Sequence, residues 1–175
     1  MPESFVALNI AVLTVSNTRS EADDKSGALL TTRLKDAGHL LHEKAICADD
    51  LYEIRARVAR WIANERPDVV ITTGGTGLTG DDVTPEAITP LLDRTIDGFG
   101  EMFRVLSHAD IGSSTLQSRS LAGVAKATFV FCLPGSSGAC ADGWDKLIAE
   151  QIDARTAPCN LHELLPRLPG SRFAQ

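Results

Sequence analysis

Residues 68–87 read DVVITTGGTGLTGDDVTPEA. The run DVVITT is short and β-branched throughout after its first residue, with an apolar VVI centre, as a strand buried on both faces should be. Glycines at 74, 75, 77 and 80 follow, then the adjacent Asp81 and Asp82, then Thr84 and Pro85, which suit an N-cap and a first helical position. Strand, glycine turn and helix in that order belong to a doubly wound α/β sheet, where ligands bind beyond the carboxyl ends of the strands.

The same strand type recurs at 9–15, 40–47 and 127–133. Helical stripes lie between, at 25–37 (Leu29, Leu30, Leu34, Ala37) and 50–65 (Ile54, Val58, Trp61, Ile62). The β-α-β-α-β alternation predicts a mostly parallel sheet covered on both faces, with right-handed crossovers. Beyond 73, helices are expected at 85–92 and 98–106, and a segment at 119–124 turns at Ala125 and Lys126 into the strand at 127–133. That turn predicts one antiparallel addition. A last helix is expected at 137–152, so residues 1–152 form a single domain. Residues 153–175 hold three of the chain's eight prolines and form a tail over the domain or a neighbouring subunit.

A chain of 175 residues supports one substantial core. Its net charge of −6 supplies no basic surplus for a nucleic-acid backbone. The opening MPESFVALNIAVLTVS lacks a basic n-region and meets Asn9 and Ser16 before a long apolar run, so neither a signal peptide nor a membrane span is expected. Cys47, Cys132, Cys140 and Cys159 are scattered without a C-x-x-C pair, which predicts reduced thiols and a cytoplasmic setting. The histidines show no metal-ligand spacing, and no nucleophile elbow is present.

Gly75, Gly77 and Gly80 nominally match G-x-G-x-x-G, but the helix start at Thr84–Pro85 comes too late for a dinucleotide fingerprint, and the loop lacks the Lys-Ser/Thr of a P-loop. A dinucleotide-dependent oxidoreductase is disfavoured accordingly. Two carboxylates would repel a bound phosphate unless a cation intervened, and magnesium is commonly held by one or two carboxylates together with substrate phosphates. Asp82 is the first candidate ligand, with Asp49 of the CADD loop (47–50) facing it across the cleft. Alternatively, both aspartates favour the positive end of the following helix. The spacing alone leaves both readings open. In PGSSGA (134–139), Ser136 or Ser137 can cap a helix whose free N–H groups point at an anion.

Taken in order, LTVSNTR (13–19), DDKSG (23–27), TTGGTG (72–77), DVTPEA (82–87), DGFGEMFR (97–104), SRSLAG (118–123) and LPGSSGAC (133–140) resemble the MoaB/MogA family of molybdenum cofactor biosynthesis proteins. QIDARTAPCNLHELL (151–165) resembles its MoaB branch. The resemblance implies a three-layer α/β/α sandwich of the molybdopterin-binding MogA-like type. It implies transfer of the adenylyl group of Mg-ATP to the terminal phosphate of molybdopterin, releasing pyrophosphate. Asp49 and Asp82 fall on the family's essential aspartates, as catalytic and Mg2+-holding residues. Substrate and nucleotide binding falls on Ser16, on Thr73, Gly74, Gly75, Thr76 and Gly77, on Asp81, on Ser118 and Arg119, and on Pro134, Gly135, Ser136 and Ser137. The resemblance also implies a homo-oligomer, a trimer or hexamer, and other proteins of the same pathway as partners. Active members commonly have VSD where this chain has Val15-Ser16-Asn17, and a PGxP-type loop in place of PGSSGA. A catalytically silent molybdopterin-binding or carrier protein is therefore the alternative.

Overall fold

The computed structural model describes residues 4–174; residues 1–3, at the start of the expected domain, and residue 175, at the end of the expected tail, lie outside the described residues. Strand β1 (Asn9–Val15) leads into helix α1 (Lys25–Asp36), capped by Asp24, whose carboxylate accepts from Gly27 N–H. Strand β2 (Leu40–Cys47) and helix α2 (Leu51–Arg60) follow, and a π-helical turn, Trp61–Glu65, extends α2 to a left-handed Arg66. Next come β3 (Val69–Thr73), the five-residue helix α3 (Thr84–Ile88) and the two-residue strand β4 (Arg94–Thr95). Helix α4 (Asp97–Ile111) passes through a 3-10 stretch, Gly112–Gln117, to the hairpin β5 (Leu121–Ala125) and β6 (Thr128–Leu133). The last helical run is α5 (Ser137–Gly143), a π turn Trp144–Ile148, and α6 (Ala149–Ile152).

One six-stranded sheet has the order β2-β1-β3-β6-β5-β4. β2, β1, β3 and β6 are parallel, and β5 runs antiparallel to both of its neighbours. Alternation along the central strands builds two cores. Ile10 and Val12, Val69 and Ile71, and Phe129 and Phe131 face one side with Leu30, Leu34, Phe103 and Trp144. Ala11 and Leu13, Val70, and Val130 and Cys132 face the other with Ile54, Val58, Trp61 and Ile88. Since successive strand residues point to opposite faces, a run with no polar position requires helices on both. Here α1, α4 and α5 cover one face and α2 and α3 the other, so the architecture is a three-layer α/β/α sandwich.

The chain moves from β1 outward to β2, then back past β1 to β3. Right-handed crossovers in opposite directions put α1 and α2 on opposite faces and open a crevice between the carboxyl ends of β1 and β3. Expected and observed elements differ in several places, and the helix expected at 85–92 is α-helical only over Thr84–Ile88, with a 3-10 turn at Thr89–Leu91 after it. Helix α4 continues five residues past 106, to Ile111. Strand β4 was not anticipated; at Gly123 a Cβ would meet Arg94 O at 2.6 Å, so its backbone approach depends on that glycine. Thr84 is not an N-cap: it is the first residue of α3, Val83 holds the cap position without a side-chain bond, and the Thr84 hydroxyl donates instead to Gly74 O at 2.9 Å.

The C-terminal segment closes back at the opposite, amino end of the strands. Arg172 forms a forked pair with Asp68 (Nε to Oδ1 3.0 Å, Nη2 to Oδ2 2.8 Å) and donates to Ala7 O, while Asp68 also accepts from Asn9 N–H at 2.7 Å. The Asp68 side chain is only 5% exposed, so truncating Arg172 leaves a nearly buried carboxylate without its cation. Arg172→Ala is expected to cost about 1–2 kcal/mol, since the arginine is itself half exposed. Arg155→Ala, which breaks a surface pair with Asp153, should cost less than Arg172→Ala. Thermal midpoints of the two variants measured side by side check the ordering.

Candidate functional site

A cleft of about 470 Å3 opens at the carboxyl ends of β1, β3 and β6. Its size falls in the range of small-molecule sites. The glycine loop forms one wall. Gly74 takes φ +106°, and a Cβ there would lie 2.2 Å from Val15 O, so only glycine lets the chain cross the end of β1. Four successive carbonyls of the loop are then taken by the protein. Gly74 O accepts from the Thr84 hydroxyl, Gly75 O from Thr84 N–H at 3.0 Å, Thr76 O from Arg119 N–H at 3.0 Å, and Gly77 O from Arg119 Nε at 2.7 Å. With the oxygens engaged, the N–H groups of Gly75 and Thr76 have no acceptor among the described residues. Such a concave row of free donors is an anion cradle.

Arg119 holds this loop closed. Besides Gly77 O it bonds Asp82 O through Nη2 at 2.6 Å and pairs with Glu86. Its guanidinium is committed to the loop, which makes it a positioning residue here.

Acidic groups stand on the α2–α3 side. The Asp49 carboxylate accepts from Asn17 N–H at 2.8 Å while Asn17 Oδ1 accepts from Asp49 N–H at 3.0 Å, a reciprocal clamp between the ends of β1 and β2. Burial first, and then the charges of Asp81 and Asp82, push the Asp49 carboxyl up from its ordinary value. An aspartate at position 17 would keep the same acceptor and add another like charge. Asp82 accepts from the Thr79 hydroxyl (2.7 Å) and N–H (2.9 Å); the Thr79 hydroxyl above all holds it below the usual carboxylate range. Its carboxylate therefore turns back into its own loop and does not cap α3. Among the described residues no three His, Cys, Asp or Glu side chains are grouped to hold a metal. The donor set, two carboxylates beside a row of phosphate-type donors, fits a divalent cation shared with a phosphate ligand.

The remaining walls come from the first and last strand loops. Arg19 bridges them, donating to Gly135 O at 2.9 Å and to the Ser26 hydroxyl at 2.5 Å. Beneath it, Asp24, buried, accepts from Thr14 Oγ1 at 2.8 Å and pairs with Lys44 Nζ at 2.9 Å. Ser136 caps α5, accepting from Ala139 N–H at 3.2 Å.

Of the residues singled out from sequence, Ser16, Gly74 to Gly77, Asp82, Ser118 and Pro134 to Ser136 line the cleft. Asp49 stands just behind it, with its carboxylate 3.4 Å from where a Cβ of Gly75 would lie. Thr73, Asp81, Arg119 and Ser137 do not line it. Thr73 is buried and donates its hydroxyl to Pro134 O, tying β3 to the loop after β6. The wall that sequence reading missed comes from α4 and the 3-10 stretch after it: Phe103, Ser107, Ile111, Ser114 and Gln117. Its signal in the sequence is the polar run SSTLQS leading into Arg119.

The thiols are all free; Cys159 is exposed, and burial pushes Cys140 up to about 11. No described helix is long and apolar enough to cross a membrane.

Comparison with known proteins adds the following. The family profile described as "Probable molybdopterin binding domain" matches residues 11–154. Molybdenum cofactor biosynthesis protein B of Escherichia coli (strain K12) is 53% identical over 163 residues, covering 93% of this chain and 96% of that protein. A crystal structure of a molybdenum cofactor biosynthesis protein B superposes with a TM-score of 0.82 at 43% identity, covering 86% of this chain and 94% of the other. The tungsten cofactor synthesizing protein MoaB from Pyrococcus furiosus superposes with a TM-score of 0.74 at 35% identity, covering 81% and 90%.

Burial opposes ionisation of Asp24, but Lys44, Gly27 N–H and the Thr14 hydroxyl together hold its carboxyl below the ordinary 3.8. A depressed carboxyl pKa contributes stability that is present above the unfolded value and lost as pH falls through the folded one. Chemical denaturation between about pH 6 and pH 2 should show wild type losing stability on the acid side. Asp24→Asn should be less stable at neutral pH and show a flatter acid limb.

Proposed function

The chain belongs to the molybdenum cofactor biosynthesis family, and from that premise we propose that it adenylylates molybdopterin with Mg-ATP. The observation that carries the proposal is the juxtaposition at one crevice of a cradle of unpaired N–H groups with Asp49 and Asp82. The cradle suits phosphate oxygens, and the carboxylates tolerate a polyphosphate only with a cation between them.

In the proposed reaction an oxygen of the pterin phosphate attacks the α-phosphorus of ATP. The bond from that phosphorus to the oxygen bridging to the β-phosphorus breaks, and pyrophosphate leaves. No side chain need act as nucleophile, so the protein's part is alignment and charge placement. Gly75 and Thr76 N–H groups hold the nucleotide phosphates, and Arg119 keeps that loop in shape from behind. Arg19 and the start of the helical run at Ser136 receive the pterin phosphate. Asp49 and Asp82 would hold a magnesium ion, which when bound would neutralise phosphate charge. The carrier alternative shares every binding feature and differs only in lacking product. The homo-oligomer expected of such a protein has an apolar surface to build on: Met102, Val105, Ile111 and Leu116 are exposed along α4 and the stretch after it.

Incubation with molybdopterin, ATP and magnesium should yield adenylylated pterin and pyrophosphate. Asp82→Asn, which keeps an acceptor for Thr79, should lower turnover at least about 100-fold, comparable to removing a transition-state stabiliser, with the thermal midpoint unchanged. Retained turnover would remove Asp82 from the mechanism, and pterin binding without product in wild type selects the carrier.

A further inference from the structure

Lys44 does not line the cleft, yet it is joined to the cleft wall through one buried carboxylate. In the sheet it stands beside Val12, so its side chain shares the α1 face with Thr14, two residues further along β1. There Nζ meets the fully buried Asp24 side chain at 2.9 Å and the exposed Glu21 at 2.6 Å. Asp24 Oδ2 takes Lys44 and the Thr14 hydroxyl, while Oδ1 takes Gly27 N–H at 2.9 Å and the Ser26 hydroxyl at 3.4 Å. Ser26 in turn accepts from Arg19 Nη1, and Nη2 of the same guanidinium reaches across to Gly135 O. Arg19 stands 3.9 Å from Asp24 Oδ1, the second cation beside that carboxylate and the one that faces the cleft.

A buried carboxylate without its partner is costly, and it draws in whatever cation remains. Lys44 fills that place from the edge strand β2, so Arg19 meets Asp24 through the Ser26 hydroxyl and not in direct contact. The second arm of Arg19 is left for the loop after β6. We infer that Lys44 is a positioning residue for the reaction: by neutralising Asp24 it keeps the Arg19 guanidinium extended toward Gly135, where a substrate phosphate meets it. Without Lys44, Arg19 turns back to pair with Asp24, and the phosphate loses its cation. The inference rests on the proposed reaction only in assigning that phosphate to the pterin.

Binding calorimetry on the full chain, with a 6-substituted pterin phosphate and with Mg-ATP, tests it. Arg19→Ala and Lys44→Met should each weaken the pterin phosphate about tenfold, the scale of one hydrogen bond to a charged group, and leave Mg-ATP unchanged. Added to Arg19→Ala, Lys44→Met should cost nothing more, since a residue that acts through another is silent without it. Lys44→Arg should restore affinity, and Glu21→Gln, which changes only the exposed partner, should match wild type. Lys44→Gln, run alongside, keeps a donor without the charge and carries the same prediction, so the test survives if Lys44→Met does not fold. No loss in the Lys44→Met and Lys44→Gln variants, equal losses for both ligands, an undiminished loss in the Arg19→Ala background, or failure of wild type to bind either ligand would overturn the positioning role. A loss that falls on Mg-ATP instead, and vanishes with Arg19, moves the phosphate to the nucleotide and keeps the role of Lys44. An inactive wild type that still shows the coupling sinks the transfer reaction and leaves the positioning role standing. An active wild type without the coupling does the reverse.

Discussion

Where a side chain at position 74 would have to stand, the structure has the carbonyl oxygen of Val15, 2.2 Å from an ideal Cβ. That contact lets the chain leave β3 across the end of β1, and the site depends on the crossing. It turns the next carbonyls toward Thr84 and Arg119 and their amides the other way. It also brings Gly75 within reach of Asp49, whose place is set from the other side by Asn17. A backbone constraint at one glycine thus assembles residues from three strand ends. The sheet order supplies the crevice, and the glycine determines what faces into it.

The central sheet could be read from sequence because it is covered on both faces: every position of β3 and β6 is buried, and such runs leave few alternatives. The order of the helices followed from their stripes. Elements governed by tertiary contacts were less legible. Thr84 looked like an N-cap because local chemistry favours one there, but Gly74 O, ten residues earlier, takes its hydroxyl. Helix α4 runs past the expected end at 106 to Ile111, and Ser107 in that extension is buried. Strand β4 has only Arg94 and Thr95, both exposed, and no hydrophobic pattern to announce it.

The same division runs through the site. Glycines, aspartates and the loop after β6 could be nominated from motifs, and most of them meet at the cleft. Roles were harder to read than positions. Arg119 carries the charge of a ligand-binding residue, yet all three nitrogens of its guanidinium bond the glycine loop and Glu86. A wall built from serines, a glutamine and a phenylalanine has no motif, because hydroxyls and carboxamides are common on any surface.

The two carboxylates should make phosphate binding at the glycine cradle depend on a divalent cation. ATP titrated into the protein by calorimetry, with magnesium and then with excess chelator, tests it most directly. Clear binding is expected with the cation and marked weakening without it, with Asp49→Asn and Asp82→Asn narrowing the difference. ATP bound equally well in chelator would contradict it.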